Sequence, residues 1–321
     1  MSYGDIIRDA FWIAWRNRFM WFFGFFLSGA AGSFVYPRNF GSLGTRRTDG
    51  AALGLQFPGQ LRWASENLLL FAILAAVLVL VVVTIWLTLS VISRGALAEG
   101  VAAIDRGEER TFSSTWRAGI AYFWRVAVQV TVIFLIWAGL ALVIALLGAL
   151  LVVGTFAATD SIAARVLVVA VGTILLLPLV VVISVVLGIV GQFALRALVV
   201  GGEGAVASIG SGYRLFRRHI GRSLLLLLIQ IGISLGAGGA VFAALTVAGL
   251  VVSVPVTILS SSGQSVVSAV VGAVLALILS LPFIVLSSAV GVFHQAYWTL
   301  AYLRLAGPPE DTQPARQAGA A

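Results

Sequence analysis

The sequence predicts an all-α polytopic integral membrane protein, with about six transmembrane helices in three hairpin units, each preceded by an interfacial amphipathic helix. Sixty per cent of the 321 residues are hydrophobic and 10% are charged, with a mean hydropathy of +1.08. A soluble domain carries roughly 25% charged residues. Charge-free runs reach 34 residues at 126–159 and 81 residues at 223–303, whereas a bilayer core needs about 20 helical residues. Lipid must therefore be part of the solvent.

Charged and turn-forming residues divide the apolar sequence into six predicted spans. The run 223–303 would be about 120 Å long as one helix, too long for one crossing, and the SSSGQS segment at 260–265 supplies a turn. The apolar run after Arg18 lacks a cleavage site of small residues, which predicts an uncleaved first span rather than a signal peptide. The predicted spans are about 19–36, 67–93, 126–157, 166–195, 223–257 and 266–303.

Polar-aromatic segments before spans one, three and five predict helices that lie on the membrane surface. Residues 3–18 place Ile7 and Trp15 on one helical face, which is typical of an interfacial helix. Residues 111–125 are predicted to form a surface helix that turns directly into span three. Residues 196–222 form a further basic segment before span five.

The three units are predicted to be copies of an internal repeat. Residues 116–125 align with 213–222 at an offset of 97 residues, which pairs Arg117 with Arg214. Chance similarity among apolar, arginine-flanked helices is the alternative. The second spans of units two and three pair Ser184, Gly188, Gln192 and Arg196 with Ser287, Gly291, Gln295 and Thr299, while Ser90 and Arg94 take the Gln192 and Arg196 places in unit one.

The repeat also sets the predicted domain organisation. We expect one transmembrane domain followed by a proline-rich disordered tail. The connection 37–66 is rich in Gly and Pro and is predicted to be irregular. The domain is 1–307, its units are about 3–95, 108–200 and 205–305, and the tail is 308–321.

The charge distribution predicts the orientation and the partner. The net charge is +8, and all 20 basic residues are arginine, which indicates a GC-rich bacterial genome. With six spans, 15 arginines fall on the side of both termini, so the positive-inside rule places both termini in the cytoplasm, at the bacterial plasma (inner) membrane. Arginines that flank apolar runs favour the lipid bilayer and its anionic phospholipids, and not nucleic acid, as the partner.

Three segments resemble a known group of proteins: AWRNRFMWFFGF at 14–25, AAIDRGEERTFSSTWRAGIAYFWR at 102–125 and GSGYRLFRRHIGR at 210–222. The chain resembles bacterial polytopic proteins related to the membrane domain of glycerophosphodiester phosphodiesterases, with their uncharacterised stand-alone relatives. The resemblance implies a six-helix membrane module. The phosphodiesterase barrel has no counterpart in this sequence, so hydrolysis is not implied.

Polar residues inside the predicted spans form a candidate intramembrane site. Ser184, Gln192, Ser287 and Gln295 recur at helical spacing, and His294 is the only residue of 223–303 that titrates near neutral pH. Such a polar seam could line a substrate path. The alternative is hydrogen bonding between helices, where measured contributions average about 0.6 kcal/mol.

Two further sets of residues are predicted to make contacts rather than chemistry. A ladder of small residues at Gly232, Gly236 and Ala240 predicts close helix packing, either within the chain or against a second copy, so a homo-oligomer is left open. Basic residues of the surface segments are predicted to contact lipid headgroups. These are Arg117, Arg125, Arg214, Arg217, Arg218 and Arg222.

No catalytic, cofactor or metal site is predicted. The chain has no cysteine, which excludes thiolate ligands and nucleophiles. Asp105, Glu108 and Glu109 lie among arginines, which favours a solvated surface over an acid–base pair. The glycine pattern at 202–207 follows a span rather than a strand, so it does not predict dinucleotide binding.

The preferred functional hypothesis is therefore a non-enzymatic membrane module that acts as a scaffold or binds a partner. The protein partner is not predicted. The alternative is a transporter or lipid-handling protein with a site between the repeat units. An intramembrane enzyme is disfavoured because no catalytic set is recognisable.

Overall fold

The computed structural model describes residues 2–31, 68–263 and 265–307, and all regular structure within these ranges is helical. The predicted all-α class is therefore confirmed. The helices are α1 (Tyr3–Arg16), a short 3-10 helix (Arg18–Met20), α2 (Trp21–Ala31), α3 (Leu68–Asp105), α4 (Phe112–Ala158), α5 (Ile162–Val199), α6 (Ala205–Arg218), α7 (Ile220–Ser261) and α8 (Ser265–Ala306).

Five helices of the described ranges are long and apolar enough to cross a membrane: α3, α4, α5, α7 and α8. They cover predicted spans two to six, apart from residue 67, which lies outside the described residues, and the chain is a multi-pass membrane protein. The first predicted span, 19–36, is represented by the last two residues of the 3-10 helix and the 11 residues of α2, and residues 32–36 lie outside the described residues. The predicted connection 37–66 and the predicted tail 308–321 also lie entirely outside the described residues.

The predicted junction between a surface helix and span three is absent, because α4 is one continuous helix of 47 residues. It begins at a capping box, in which Thr111 Oγ1 accepts from Ser114 N at 3.4 Å and Ser114 Oγ accepts from Thr111 N at 3.0 Å. No glycine or proline interrupts the helix around Arg125. In the predicted third unit the chain does break, at His219 (φ −131°, ψ 42°), where α6 ends and α7 begins.

The buried residues gather at one end of the helices. We call this the packed end and define it by residues 92–103 of α3, 189–199 of α5 and 292–301 of α8, with α1, the 3-10 helix and α2 packed beside them. The opposite parts of α3, α4, α5, α7 and α8 expose large apolar side chains, such as Leu150 at 71% and Leu235 at 72%. This apolar surface requires lipid around it.

Contacts between the helices follow a repeated order. The N-terminal part of α4 packs on α3, α6 packs on α5, and α1 packs on α8. The start of α4 and α6 therefore each lie against the long helix that precedes them in the chain. Nothing described precedes α1 except Ser2, and α1 lies against the last helix. The packing thereby joins the two ends of the described chain.

Glycines allow the closest of these helix crossings. A Cβ on Gly24 of α2 would lie 2.1 Å from Ser288 O of α8, and one on Gly291 would lie 2.8 Å from Gly24 O. A Cβ on Gly212 of α6 would lie 2.8 Å from Val190 O of α5. At these distances the backbones must separate, so only glycine permits the observed approach.

The predicted small-residue ladder on α7 does not pack within the described part of the chain. Gly232, Gly236 and Ala240 are exposed, and a Cβ on Gly232 or Gly236 would meet no atom of another described residue within 4 Å. The intrachain alternative is therefore not observed, because this face of α7 points away from the other helices. Packing against a second copy stays a prediction.

Replacing Gly24 by Ala tests the crossing of α2 and α8. We expect Gly24→Ala to lower the free energy of unfolding by about 1–3 kcal/mol, because the new methyl group overpacks against backbone. Denaturant titration of the detergent-solubilised chain measures this loss. The matched control is Gly232→Ala, which fills open space on a helix and is expected to be neutral or stabilising. Equal effects of the two substitutions would contradict the crossing.

Candidate functional site

The candidate site is formed where α3, α5 and α8 meet, since each of these helices contacts the other two. Each helix carries polar residues four positions apart, and this spacing places both members of a pair on one helical face. The pairs are Ser90 and Arg94 on α3, Gln192 and Arg196 on α5, and Gln295 and Thr299 on α8. These are the positions that the repeat alignment made equivalent.

Arg196 is at the centre and is fully buried, with 0% exposure. Its Nη1 donates to Gln192 O at 2.9 Å and to Gln192 Oε1. Its Nη2 donates to Gln295 Oε1 and to Gln295 O at 3.4 Å, and its Nε donates to Thr299 Oγ1 at 3.4 Å. We call Arg196, Gln192, Gln295 and Thr299 the Arg196 cluster. Every N–H group of the guanidinium has an acceptor, as a buried arginine requires.

The acceptors in the Arg196 cluster are neutral, and no carboxylate of the described residues pairs with Arg196. The charge is therefore solvated by amide and hydroxyl dipoles. The second cation nearby is Arg94, which lies close enough for its charge to act on Arg196. Burying a charge without a counter-ion is costly unless its hydrogen bonds are made. The geometry provides those bonds for Arg196.

The structure divides the predicted polar seam. Gln192 and Gln295 come together, but they meet on the side chain of Arg196 rather than along an open path. Ser184 is exposed, and Ser287 Oγ donates to Phe283 O within its own helix. The seam prediction did not include Arg196. Two signals in the sequence could have identified Arg196. It lies four residues, about one helical turn, after Gln192, and the repeat aligns it with the polar residue Thr299.

His294 belongs to a separate set of contacts that ties α7 to α8. Its Nε2 lies 3.1 Å from Ser234 Oγ. On the same pair of helices, Tyr297 OH donates to Leu226 O at 3.0 Å, and Trp298 Nε1 donates to Gln230 Oε1. His294 is therefore hydrogen-bonded between helices beside two aromatic residues. This is the arrangement that the sequence offered as the alternative to a substrate path.

The acidic side chains near the packed end bind arginines. Asp105 pairs with Arg304 at 3.4 Å, and Glu108 Oε1 accepts from Arg106 at 2.8 Å. The hydrogen bond from Arg106 holds the pKa of Glu108 below its ordinary value. Arg110 contacts both Glu108 and Glu99. These carboxylates neutralise local cations, and no metal-binding group of three or more acidic, His or Cys residues occurs in the described ranges.

The arginines that were predicted to contact lipid headgroups are all exposed at the surface of the described structure. Three of them, Arg214, Arg217 and Arg218, lie on α6, whose opposite face buries Ser208, Gly212 and Phe216. The exposure leaves these guanidinium groups free to reach a membrane surface. Contact with lipid stays a prediction. The remaining members of the set are Arg117, Arg125 and Arg222.

Two cavities stand out in the described structure, and neither contains the Arg196 cluster. A cavity of about 360 Å³ lies between α4 and α5 and is lined by apolar residues such as Leu151 and Leu176. A cavity of about 540 Å³ lies beside α1. Its lining is Ser2, Asp5, Ile6, Arg8, Asp9, Arg222 and Arg304.

A double-mutant cycle tests the Arg196 cluster. We expect Gln295→Leu alone to lower the free energy of unfolding by about 1–3 kcal/mol, because it leaves donors of Arg196 unpaired. In the Arg196→Met background, Gln295→Leu should lower the free energy of unfolding by less than it does in the wild type. The difference, which is the coupling energy, should be about 0.5–3 kcal/mol. Ser287→Ala, combined with Arg196→Met, is the control and should be additive within about 0.5 kcal/mol. Additivity in both cycles would rule out the cluster.

Comparison with known proteins bears on the identity of the chain. Neither the curated proteins nor the solved structures contained a match. One protein-family model matches residues 20–307, from the end of the 3-10 helix to the end of α8. It has no stated link to the membrane domain of glycerophosphodiester phosphodiesterases, so that relationship stays a prediction. Because the match covers most of its length, the chain belongs to a family of unknown function (DUF7544).

Proposed function

We propose that the chain is a non-enzymatic membrane module that acts as a scaffold or binds a protein partner. The main support is the occupation of Gln192 and Gln295 by Arg196. These glutamines were the best candidates to line a substrate path, and their amide oxygens are already used in helix packing. A closed network that joins α5 to α8 serves assembly of the bundle better than passage of a solute.

The order of helix contacts supports the proposed three-unit architecture. Each proposed surface segment lies on the second span of the preceding unit: the start of α4 on α3, α6 on α5, and α1 on α8. Such a cyclic arrangement is expected of three copies of one unit. A closed ring of units gives a platform held in one shape, which suits a scaffold.

The alternative is a transporter or lipid-handling protein with a site between the units. The observation in its favour is the cavity of about 540 Å³, which is lined by charged residues of α1, α7 and α8. This cavity is lined by Arg222 and Arg304, at the end of the bundle that we propose to be cytoplasmic from the charge distribution. A lipid-handling protein would use such a site together with an apolar route.

Reconstitution distinguishes the scaffold from the lipid-handling alternative. We expect proteoliposomes of the wild-type chain to move a fluorescent phospholipid between leaflets no faster than protein-free vesicles, because Arg196 already occupies the amide oxygens of Gln192 and Gln295. Chemical quenching of the outer leaflet measures the rate. Transfer by the wild type above the protein-free rate would favour lipid handling and overturn the scaffold proposal. Loss of that transfer in Gln192→Ala would then assign the route to the polar residues between the units, and its retention would assign the route to the cavity beside α1.

The proposed orientation, with both termini in the bacterial cytoplasm, is tested by cysteine labelling. The native chain has no cysteine, so each introduced thiol reports one position. We expect Arg117→Cys and Arg214→Cys to react with an impermeant maleimide only after the inner membrane is opened. Asp160→Cys and Ser262→Cys lie in turns at the opposite ends of α4 and α7 and should react in intact spheroplasts.

The reverse pattern of labelling would show that the termini are periplasmic. Labelling of Arg117→Cys and Arg214→Cys from opposite sides would contradict the proposed units, since the repeat places these positions at equivalent depths. Expression and folding are checked by size-exclusion chromatography of each variant. A folded variant whose thiol is not labelled in intact spheroplasts should become labelled once the membrane is permeabilised. This control shows that the thiol is reactive and was protected only by the membrane.

A further inference from the structure

Arg94 differs from the buried Arg196 because its guanidinium has no partner among the described residues. It is partly buried on α3, between the fully buried Ala96 and the buried Ile92. No hydrogen bond or ion pair to a described residue involves its guanidinium, whereas Arg196 donates to five oxygens. The neighbouring Ser93 Oγ is also buried without a hydrogen-bond partner.

Within the part of the chain that the structure describes, no acidic side chain compensates the charge of Arg94. Arg94 lies close enough to Arg196 for its charge to act on that guanidinium, and no carboxylate of the described residues pairs with either arginine. Glu99, the closest acid along α3, is bound to Arg110. Two guanidinium groups in a region of low dielectric repel each other and attract an anion. Neutral acceptors fill the donors of Arg196, so the free donors for an anion are those of Arg94.

The position of Arg94 in the sequence indicates which anion can reach it. Arg94 directly follows the apolar run 69–93 of α3, whose outer face is exposed. In a membrane, the end of such a run lies near the phosphate groups of the lipid headgroups. A guanidinium fork binds phosphate oxygens in a bidentate manner, and basic pockets between spanning helices are known binding places for anionic headgroups.

We propose that Arg94, with the positive charge of Arg196 behind it, binds a phosphate group at the packed end of the bundle. The phosphate is either that of a phospholipid headgroup or that of a free phosphate. Arg94 donates from its guanidinium, and Arg196 contributes only its charge, because its N–H groups are occupied. The proposed scaffold would thereby carry one bound phosphate-bearing molecule per chain.

The test compares Arg94→Gln with Arg106→Gln in the full-length chain. Both remove one positive charge at the same end of α3, but Arg106 is exposed and pairs with Glu108. Each protein is incubated with vesicles of phosphatidylcholine and phosphatidylglycerol, extracted in mild detergent and examined by native mass spectrometry. We expect wild type and Arg106→Gln to retain one phosphatidylglycerol, and Arg94→Gln to bind it at least about tenfold more weakly.

A parallel arm with inorganic phosphate identifies the source of the phosphate group. Displacement of phosphatidylglycerol by inorganic phosphate, together with a phosphate-dependent rise of the unfolding temperature, would indicate a site for free phosphate. Retention of the lipid against inorganic phosphate would indicate a headgroup site. Either result supports a phosphate site at Arg94 if Arg94→Gln also weakens the binding of the phosphate-bearing molecule.

Three outcomes would overturn the proposal. Arg94→Gln could retain phosphatidylglycerol as the wild type does, or Arg106→Gln could lose it to the same extent. The third outcome needs no variant and applies even if Arg94→Gln does not fold: a wild-type chain that neither retains phosphatidylglycerol nor gains thermal stability with inorganic phosphate has no such site.

Discussion

The guanidinium of Arg196 is completely buried where three long helices meet, and neutral oxygens solvate it there. Gln192 contributes from the same helix, whereas Gln295 and Thr299 contribute from α8. Shifting α8 by one residue would turn its side chains by about 100° and remove both contributions, because a helix has 3.6 residues per turn. The buried charge therefore fixes the register between α5 and α8 more strictly than apolar packing alone would.

This constraint acts at the packed end, and the rest of the long helices is organised differently. Their outer parts expose apolar side chains around much of the circumference, as Leu150 and Leu235 illustrate. Lipid tails are as apolar as these side chains, so helix association there gains little from the hydrophobic effect. The specific contacts that join α7 to α8, such as the bond from Tyr297 to Leu226, also lie near the packed end.

The elements that could be predicted from the sequence were those marked by charge. Uncharged runs located the five long helices of the described ranges, because a charged side chain in the bilayer core is costly, and the polar turn at 260–265 separated α7 from α8. The continuity of α4 through Arg125 could not be predicted in this way. A junction between a surface helix and a span requires a local break in the helical backbone, as occurs at His219. The charge pattern does not show whether such a break is present.

The candidate site was predicted only in part, for a related reason. An arginine at the end of an apolar run normally indicates the boundary of a span, and the charge pattern alone therefore does not predict that Arg196 is buried between helices. Gln192 and Gln295 were recognised as polar residues inside apolar helices, and the repeat aligned them. That both glutamines accept hydrogen bonds from Arg196 depends on which helical faces meet. Close backbone crossings, such as that of Gly24 with Gly291, determine which faces meet.

Helix length argues for the kind of function that is proposed. A helix of 47 residues, as in α4, is about 70 Å long, whereas the hydrocarbon core is about 30 Å thick. Part of each long helix must therefore lie outside the hydrocarbon, unless the helix is strongly tilted. The packed end is the part with a core of its own, with Phe23, Phe193 and Trp298 nearly or fully buried. If this packed, arginine-rich end is the part that lies outside the lipid, it presents a defined surface, which is what the proposed scaffold or partner-binding module needs.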